Sequence, residues 1–444
     1  MKHTKSILMA ALAAITIGSI GSASAEVIYI TGSTAFRKAA NKALQTALGA
    51  GNIAASDSAT SLTDVGAGTI YFTNCTVNGQ TVDVAASWTG SESGIQSVAS
   101  PSTNVKTIPF LDITKLTANG LVGTFGTNIS SGVNFTTMVG NSNTTSVRAT
   151  LTFSDTFQGK SVFTGTGVKD GLVYTALSEP YTNGLGLGVV PFTFVANTSC
   201  PYTNITTPIF ADIATGNGYV LGSEFTGNGA DTNIRCFLTG RNIDSGTRLT
   251  SFLVGKIGTQ PTTVTQYDVT ASGGVITALP KAAAVTINGV SSPVWFGGQS
   301  SGGSLCKYMT NTVSPTVTVG LGAVARGSAT NYLIGYAGVS DACGQVANGL
   351  KMMAYNGYLP RNYNQSTTTN IDAGYSNTIS GAYPFWGYEH LYYNSTIASA
   401  QATNLAYSIS TNVLSLPSTD PNLAPNIALS EMKVSRTTDG GPIK

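Results

Sequence analysis

The chain has 444 residues, of which only 9% are charged, and its formal net charge is +2. Removing Lys2 and Lys5 with an N-terminal leader leaves equal numbers of basic and acidic residues. This balance excludes the basic surface expected of a protein that binds nucleic acid or docks on an anionic membrane. Any anionic ligand would therefore be held chiefly by hydrogen bonds.

Residues 1–25 have the features of a secretory signal peptide. Two lysines precede an apolar run over residues 7–20, and the small residues at 23–25 fit a cleavage site. The run is too short to span a membrane, and no later apolar stretch approaches about 20 residues. The residue directly after the cleavage site is not a cysteine, which lipid attachment would require. We predict an exported protein, periplasmic or secreted, that does not span a membrane.

The numbers and positions of cysteine and histidine argue against a zinc site and against a Ser-His-Asp catalytic triad. The five cysteines are far apart and form no CxxC pair, so the spacing typical of zinc sites is absent. His390 is the one histidine outside the leader, which makes a Ser-His-Asp triad hard to build. We therefore expect no metal and no cofactor. Export permits disulfides, and the pairings 200 with 236 and 306 with 343 both remain open.

The predicted elements alternate between strands and helices along the chain. Residues 27–31 are a β-rich run that leads, through a glycine turn, into a helix with apolar residues at helical spacing from Phe36 to Leu48. Residues 234–240 repeat this pattern in the second half of the chain and lead into the helical face of Leu249 and Phe252. Further strands are predicted at residues 82–88, 149–153 and 188–195. Strand, loop and helix in both halves predict an α/β fold.

Residues 117–146 differ from the rest of the first half. They are rich in Gly, Asn, Ser and Thr and have little hydrophobic periodicity, which predicts a surface insertion. The glycine-rich run SSGGSLCKYM, residues 300–309, could line a cleft or form an ordinary loop, and the loop is the expected structure.

Two glycine-containing turns between a strand and a helix are candidate anion sites. GSTAF, residues 32–36, presents unpaired backbone N–H groups at the positive end of a helix dipole, and Ser33 or Thr34 adds a hydroxyl. SWTGSESG, residues 87–94, has the same context, and Ser91 with its neighbouring amides is the candidate there. Ordinary helix capping also explains either turn when it is taken alone.

A third loop supplies a hydrogen-bond acceptor. In LTFSDTF, residues 151–157, an apolar strand ends at Asp155. A carboxylate only accepts hydrogen bonds, so it can hold an anion only if that anion still carries a proton. Monohydrogen phosphate has such a proton near neutral pH, and sulfate does not. The alternative is that Asp155 caps a turn or a helix.

The fourth loop supplies a cation. In TGRNIDSGTR, residues 239–248, Arg241 offers a planar charged fork suited to oxyanions. Ser245, Gly246 and Thr247 offer hydroxyls and close backbone approach at a helix start. The alternative is a surface turn in which Arg241 pairs with Asp244.

The order of these loops resembles that of the phosphate-binding proteins of bacterial ABC importers, a branch of the type 2 periplasmic binding proteins. The segments NYLIGYAGVSDA (residues 331–342) and TISGAYPFWGYEHLYY (residues 378–393) are also similar to later strands of that family. The resemblance implies two α/β lobes joined by strand crossovers that act as a hinge, with a ligand cleft between the lobes. It divides the mature chain into lobe I (26–195, with the insertion), lobe II (196–374) and a return segment of lobe I (375–444).

The resemblance also implies a ligand set and a partner. The ligand is inorganic phosphate, Asp155 accepts its proton, and an ABC permease receives it from a monomeric binding protein. In many relatives an aspartate two places after the arginine orients it, whereas Ile243 stands there in this chain. The implied phosphate-binding residues are Ser33, Thr34, Ala35, Ser91, Asp155, Arg241, Ser245, Gly246 and Thr247.

Three classes of function remain open at this point. A solute receptor needs no chemistry at its ligand, which agrees with the shortage of histidines and metal ligands, so we expect no enzyme. A phosphomonoesterase would have to use Ser245 or Thr34 beside Asp155. An extracellular structural or adhesive protein, suggested by the low charge, would bind no small ligand.

Overall fold

A computed structural model describes residues 25–58, 61–125, 143–165, 170–182, 184–259, 264–287, 289–320, 330–361, 374–416 and 427–444. The predicted leader and most of the predicted insertion at 117–146 lie outside these ranges.

The strands of the described chain are β1 Glu26–Gly32, β2 Ile53–Ser56, β3 Thr69–Val77, β4 Gln80–Ser87, β5 Ile108–Leu111, β6 Thr124–Phe125, β7 Thr144–Val147, β8 Leu151–Ser154, β9 Gly188–Ala196, β10 Asn204–Ile205, β11 Tyr219–Leu221, β12 Ile234–Leu238, β13 Thr270–Ser272, β14 Val275–Leu279, β15 Ala284–Ile287, β16 Val290–Phe296, β17 Thr312–Val319, β18 Thr330–Gly338, β19 Lys351–Tyr355 and β20 Trp386–Tyr393. The helices are α1 Arg37–Leu48, α2 Ser91–Ala99, α3 Ile113–Ala118, α4 Thr207–Thr215, α5 Gly222–Thr226, α6 Gly246–Val254, α7 Gly302–Met309, α8 Val339–Val346, α9 Ser376–Ile379 and α10 Ala400–Leu414.

One mixed sheet of 13 described strands runs through both lobes. Its main path is β11-β12-β18-β9-β20-β8-β1-β4-β3-β2-β6. In the first lobe β1 lies between β8 and β4 and is parallel to both. In the second lobe β12 is parallel to β18. The carboxyl ends of such parallel strands are where ligands bind in open α/β sheets.

The strands β9 and β20 carry the sheet from one lobe to the other. The first half of β9 pairs with β20, in the register Pro191 to Trp386, and its second half pairs with β18. The second half of β20 pairs with β8, in the register His390 to Ser154. Each strand thus belongs to both lobes, and the two run side by side between them. The predicted two-lobed α/β fold with strand crossovers is confirmed.

The helix α1 has the apolar face expected from its sequence. Its alanines at 39, 40 and 43 and its leucines at 44 and 48 are buried, and the helix packs against α10 and β3. Small alanines on this face allow helix and strand to approach closely.

The aromatic residues around the start of β20 are packing residues. Tyr383, Phe385, Trp386 and Tyr388 are buried, and the Tyr383 hydroxyl donates to the carbonyl of Phe192 on β9 at 2.8 Å. These contacts fix the two crossover strands to each other.

Two further observations concern the described chain as a whole. Its longest helix, α10, has 15 residues, fewer than the roughly 20 apolar residues that a transmembrane helix needs. The five cysteines are free thiols, and the Cys200 and Cys236 side chains are hydrogen-bonded neighbours.

Candidate functional site

The first loop is shaped by a glycine at the end of β1. Gly32 has a φ of +125°, and a Cβ atom there would lie 1.9 Å from the carbonyl oxygen of Phe153. Only glycine permits β1 and β8 to approach in this way. The Ser33 amide donates to the same carbonyl at 3.0 Å, and Ser33 Oγ accepts from the Phe36 amide at 3.2 Å. Residues 33–35 are therefore held at the carboxyl edge of the sheet.

Ser91 joins the second and third loops. Its Oγ donates to Asp155 Oδ1 at 2.5 Å and accepts from the Asp155 amide at 3.2 Å. Burial raises the pKa of Asp155, while the Ser91 hydrogen bond and the charge of Arg241 act in the opposite direction. Since a carboxylate has about four acceptor sites, Asp155 keeps capacity for another donor.

Arg241, on the fourth loop, is held by backbone carbonyls. Its Nε donates to the Gln299 carbonyl at 3.1 Å, and its Nη2 donates to the Ser300 carbonyl at 3.1 Å. Across the cleft, Nη2 also reaches Thr34 Oγ1 at 3.4 Å. Nη1 is buried and has no hydrogen-bond partner among the described residues. Neutral carbonyls thus fix the guanidinium without neutralising it, and the two N–H donors of Nη1 remain for a ligand.

Asp341, on α8, supplies the carboxylate that acts most strongly on Arg241. Burial lowers the pKa of Arg241, and the charges of Asp341 and then Asp155 oppose that effect. A Cβ atom on Gly302 would lie 2.1 Å from Asp341 Oδ2 and 3.4 Å from Arg241 Nη1, so the two groups flank the start of α7.

The structure does not pair Arg241 with Asp244, so that alternative is wrong. Within the described chain no ion pair joins them, and the Asp244 carboxylate instead approaches Asn242 Nδ2 at 3.5 Å. The Asp244 carbonyl accepts from the amides of Glu92 at 3.0 Å and Ser93 at 3.4 Å. These amides, which the sequence made candidates for an anion, therefore bond the second loop to the fourth across the cleft.

The start of α6 packs closely against the first lobe. A Cβ atom on Gly246 would lie 1.7 Å from Asp155 Oδ1 and 2.9 Å from Ser91 Cβ. Ser245 Oγ accepts from the Arg248 amide at 3.2 Å and caps the helix, which leaves its own proton available to a ligand. The positive end of the α6 dipole thus faces Asp155.

All the predicted site residues lie on these loops and are buried. Contacts in the structure join the first loop to the fourth, the second to the third and the third to the fourth. Among the described residues, no three His, Cys, Asp or Glu side chains come together as metal ligands. The predicted residues are Ser33, Thr34, Ala35, Ser91, Asp155, Arg241, Ser245, Gly246 and Thr247.

Sequence reasoning missed the groups that hold Arg241. Gln299 and Ser300 contribute backbone carbonyls, which every residue has, so no side-chain pattern could identify them. Ser300 begins the glycine-rich run that was expected to form only a loop. Asp341 lies in the segment at residues 331–342 that resembles a family strand. The resemblance assigned that segment a strand but gave Asp341 no role. Glu389 is also missed, although an acid within the apolar run WGYEHLYY is a signal.

Comparisons with known proteins were made by sequence and by structure. No family model matches the chain, and no curated protein matches it. A proposed phosphate ABC transporter substrate-binding protein with bound phosphate, from Clostridium perfringens, is 11% identical over 91% of this chain and 100% of its own, with a TM-score of 0.38. An ABC-type phosphate transport receptor from Vibrio cholerae is 12% identical over 86% and 93%, with a TM-score of 0.36. A phosphate-binding protein from Stenotrophomonas maltophilia is 14% identical over 91% and 91%, with a TM-score of 0.33. At these scores the fold assignment depends on the strand order of the chain itself.

Proposed function

We propose that the chain is an exported solute-binding protein that captures inorganic phosphate in the cleft between its lobes. The observation that carries the proposal is Arg241, which is 1% exposed and whose Nη1 has no hydrogen-bond partner among the described residues. A buried guanidinium with an unused N–H group needs an acceptor, and an oxyanion is the ligand that its planar fork matches best.

Asp155 narrows the ligand to an oxyanion that carries a proton. The carboxyl is 2% exposed and lies against the start of α6. An ionised carboxylate beside a fully deprotonated anion would leave two negative charges without a proton between them. Phosphate supplies that proton near neutral pH and sulfate does not, so the site favours phosphate.

The contacts are sufficient in energy for tight binding. Hydrogen bonds to charged groups contribute roughly 1.5 to 3 kcal/mol each, and micromolar affinity needs about 8 kcal/mol net. A few such bonds, after the cost of closing the lobes and desolvating phosphate, reach this range. In the proposal Arg241 supplies the cation and Asp155 accepts the phosphate proton. Ser91 donates through its backbone amide, because its hydroxyl proton goes to Asp155, and the other donors are Ser33, Thr34, Ala35, Ser245, Gly246 and Thr247.

The proposal also covers the cellular location of the protein and the transporter that receives its ligand. A leader at 1–25 directs the chain to the periplasm or the medium, where it acts as a monomer and delivers phosphate to an ABC permease. Lobe I comprises 26–195 and 375–444, and lobe II comprises 196–374. The hinge between them lies in β9 and β20.

A catalytic role for the same cleft is less well supported. Hydrolysis of a phosphate monoester needs a nucleophile next to a base. Ser245 caps α6, and Thr34 accepts from Arg241 Nη2. Neither hydroxyl makes a hydrogen bond to Asp155 in the described structure, and the hydroxyl that does, Ser91, is held by Asp155 on both its donor and its acceptor side. The arrangement therefore favours binding of phosphate over its hydrolysis.

Replacing Arg241 tests the proposal. We expect Arg241→Ala to weaken phosphate binding, measured by calorimetry, by about 10- to 100-fold, because a charged hydrogen bond of roughly 1.5 to 3 kcal/mol is lost. Arg148→Ala is the matched control, since Arg148 Nη2 also donates to two backbone carbonyls, of Ser100 and Pro101, but lies at the other end of β8. Equal phosphate affinity in the Arg241 and Arg148 variants would contradict the proposed site.

A further inference from the structure

Glu389 is a buried acid that the proposed binding set does not use. It lies on the crossover strand β20 and is 0% exposed. Neither of its carboxyl oxygens has a hydrogen-bond partner among the described residues. An ionised carboxylate in that position would be very costly, so the group is neutral and carries a proton. A neutral carboxyl is a hydrogen-bond donor as well as an acceptor.

The side chain of Glu389 faces the candidate anion site. Residues two apart on a strand point to the same side, so Glu389 shares a face with Gly387. A Cβ atom on Gly387 would lie 2.5 Å from the carbonyl oxygen of Asp155, so this face lies against the third loop. The pKa of Glu389 is raised well above its usual value by burial and then by the charge of Asp155, and the Ser33 hydroxyl is close enough to oppose this.

The strand opposite Glu389 contributes no charge. The residue opposite it on β9 is Gly188, and β9 has the sequence GVVPFTFVA, without a titratable side chain. A Cβ atom on Gly188 would lie 3.8 Å from the ring of Phe36 and 3.4 Å from the Ile427 carbonyl. Tyr392, further along β20, is the remaining titratable group that Glu389 affects. The groups that bear on Glu389 directly are thus Asp155, Ser33 and Tyr392, and the helix α2, which also packs against β20, carries the buried acid Glu92.

Ser33 connects Glu389 to the anion. A hydroxyl has two acceptor sites and one proton, and the Phe36 amide already uses one acceptor site of Ser33 Oγ at 3.2 Å. If the protonated Glu389 donates to the second site, the Ser33 proton is left for the anion and for Asp155, the other carboxyl within its reach. If Glu389 ionises, the Ser33 proton turns to the carboxylate, and the site loses a donor and gains a negative charge.

We propose that Glu389 is a positioning residue whose proton turns the Ser33 hydroxyl toward the bound phosphate and so makes affinity depend on one proton beyond that accepted by Asp155. This inference rests on the proposed function, because it concerns the same cleft and the same ligand. It identifies β20 as part of the binding machinery as well as part of the hinge.

Proton uptake on phosphate binding tests the inference. Phosphate is titrated by calorimetry in buffers of different ionisation enthalpy, from about pH 6 to about pH 9, into wild type, Glu389→Gln and Glu431→Gln. A bound anion favours the neutral form of Glu389. At pH values where Glu389 is partly ionised in the free protein, phosphate binding to the wild type should therefore be accompanied by proton uptake. The Glu431→Gln control, which changes an exposed glutamate, should show the same uptake. Glu389→Gln, which always offers an N–H donor, should lack that uptake, and its affinity should fall less than that of the wild type as the pH rises.

The outcomes separate the inference from the proposed function. Equal proton uptake in wild type and Glu389→Gln overturns the role of Glu389 while the phosphate site stands. Absence of phosphate binding in the wild type overturns the proposed function itself. Should Glu389→Gln not fold, Ser33→Ala provides the same test, because without the hydroxyl the Glu389-linked uptake should shrink, and an unchanged uptake would contradict the inference.

Discussion

Asp155 is the residue on which discrimination between phosphate and sulfate should depend. It is held by Ser91 on two sides, through its Oδ1 and through its amide. A carboxylate that is fixed and buried in this way cannot rotate away from a bound anion that lacks a proton. We therefore expect the fixed position of Asp155, as well as its negative charge, to disfavour sulfate.

Asp155→Asn should reduce this discrimination. The amide can donate where the carboxylate only accepts, so sulfate should bind the variant better relative to phosphate. We expect the ratio of the sulfate and phosphate dissociation constants to fall by at least about tenfold, which corresponds to about 1.4 kcal/mol. Competition calorimetry measures the ratio, and Asp212→Asn, at an exposed position on α4, is the control. A variant that rejects sulfate as strongly as wild type would contradict the role given to Asp155.

At the residue scale the sequence identified which side chains to examine but not how they are held. Arg241 and Asp155 stand out because charge is so rare in this chain. Arg241 is held by hydrogen bonds to the carbonyls of Gln299 and Ser300, which are 58 and 59 positions away in sequence. Only the path of the folded chain brings such backbone groups together.

At the scale of whole elements, the start of helix α6 lies against the loops of the first lobe. Its first residue, Gly246, leaves no room for a side chain between the helix and Asp155. The contact brings the backbone N–H groups of the α6 start to the first lobe, where an anion can use them. The absence of a side chain at this position is therefore required for closure.

Gly246→Ala should prevent closure without unfolding either lobe. The added Cβ atom would lie 1.7 Å from Asp155 Oδ1, a clash that the lobes can relieve by staying apart. We expect phosphate affinity to fall by at least about 100-fold, or about 2.7 kcal/mol, while the thermal unfolding transition remains cooperative. Gly229→Ala is the control, because nothing lies within 4 Å of a Cβ atom at that position. Closure on phosphate, followed by small-angle scattering, should persist in the control and be lost in Gly246→Ala; closure in both would refute the steric argument.

Local patterns predicted several of the elements that carry the site, because strands and helices each have a period of their own. Strands expected at 82–88, 149–153 and 188–195 correspond to β4, β8 and β9 with ends that differ by one or two residues. The division of β9 and β20 between lobes was expected only through the family resemblance, since a strand that changes partners midway has the same alternation as one that does not. The lobe boundaries at 195/196 and 374/375 remain a prediction.

At the scale of the whole molecule, the C-terminal segment 427–444 contacts both lobes. The Asp439 carboxylate accepts from the Phe157 amide, just after β8, at 2.7 Å. A Cβ atom on Gly440 would lie 2.5 Å from Leu253 Cβ on α6. Arg436 lies 3.6 Å over the ring of Trp386 at the crossover. The C-terminal segment thus helps to hold the two lobes together near the crossover strands, in addition to the contacts in the cleft.

The low charge of the chain fits this arrangement. With 9% charged residues, the surface offers little long-range attraction for anions, so selectivity must come from the buried loops. Two lobes that close around one guanidinium can hold a small oxyanion by hydrogen bonds without a broad basic patch.

Calorimetric titration of the mature wild-type protein with phosphate and with sulfate, side by side near neutral pH, tests the central claim most directly. We predict one phosphate per chain with a dissociation constant of about 1 µM or below, equivalent to about 8 kcal/mol, and sulfate binding at least about 100-fold weaker. No phosphate binding, or equal binding of the two anions, would contradict a phosphate site built from Arg241 and Asp155.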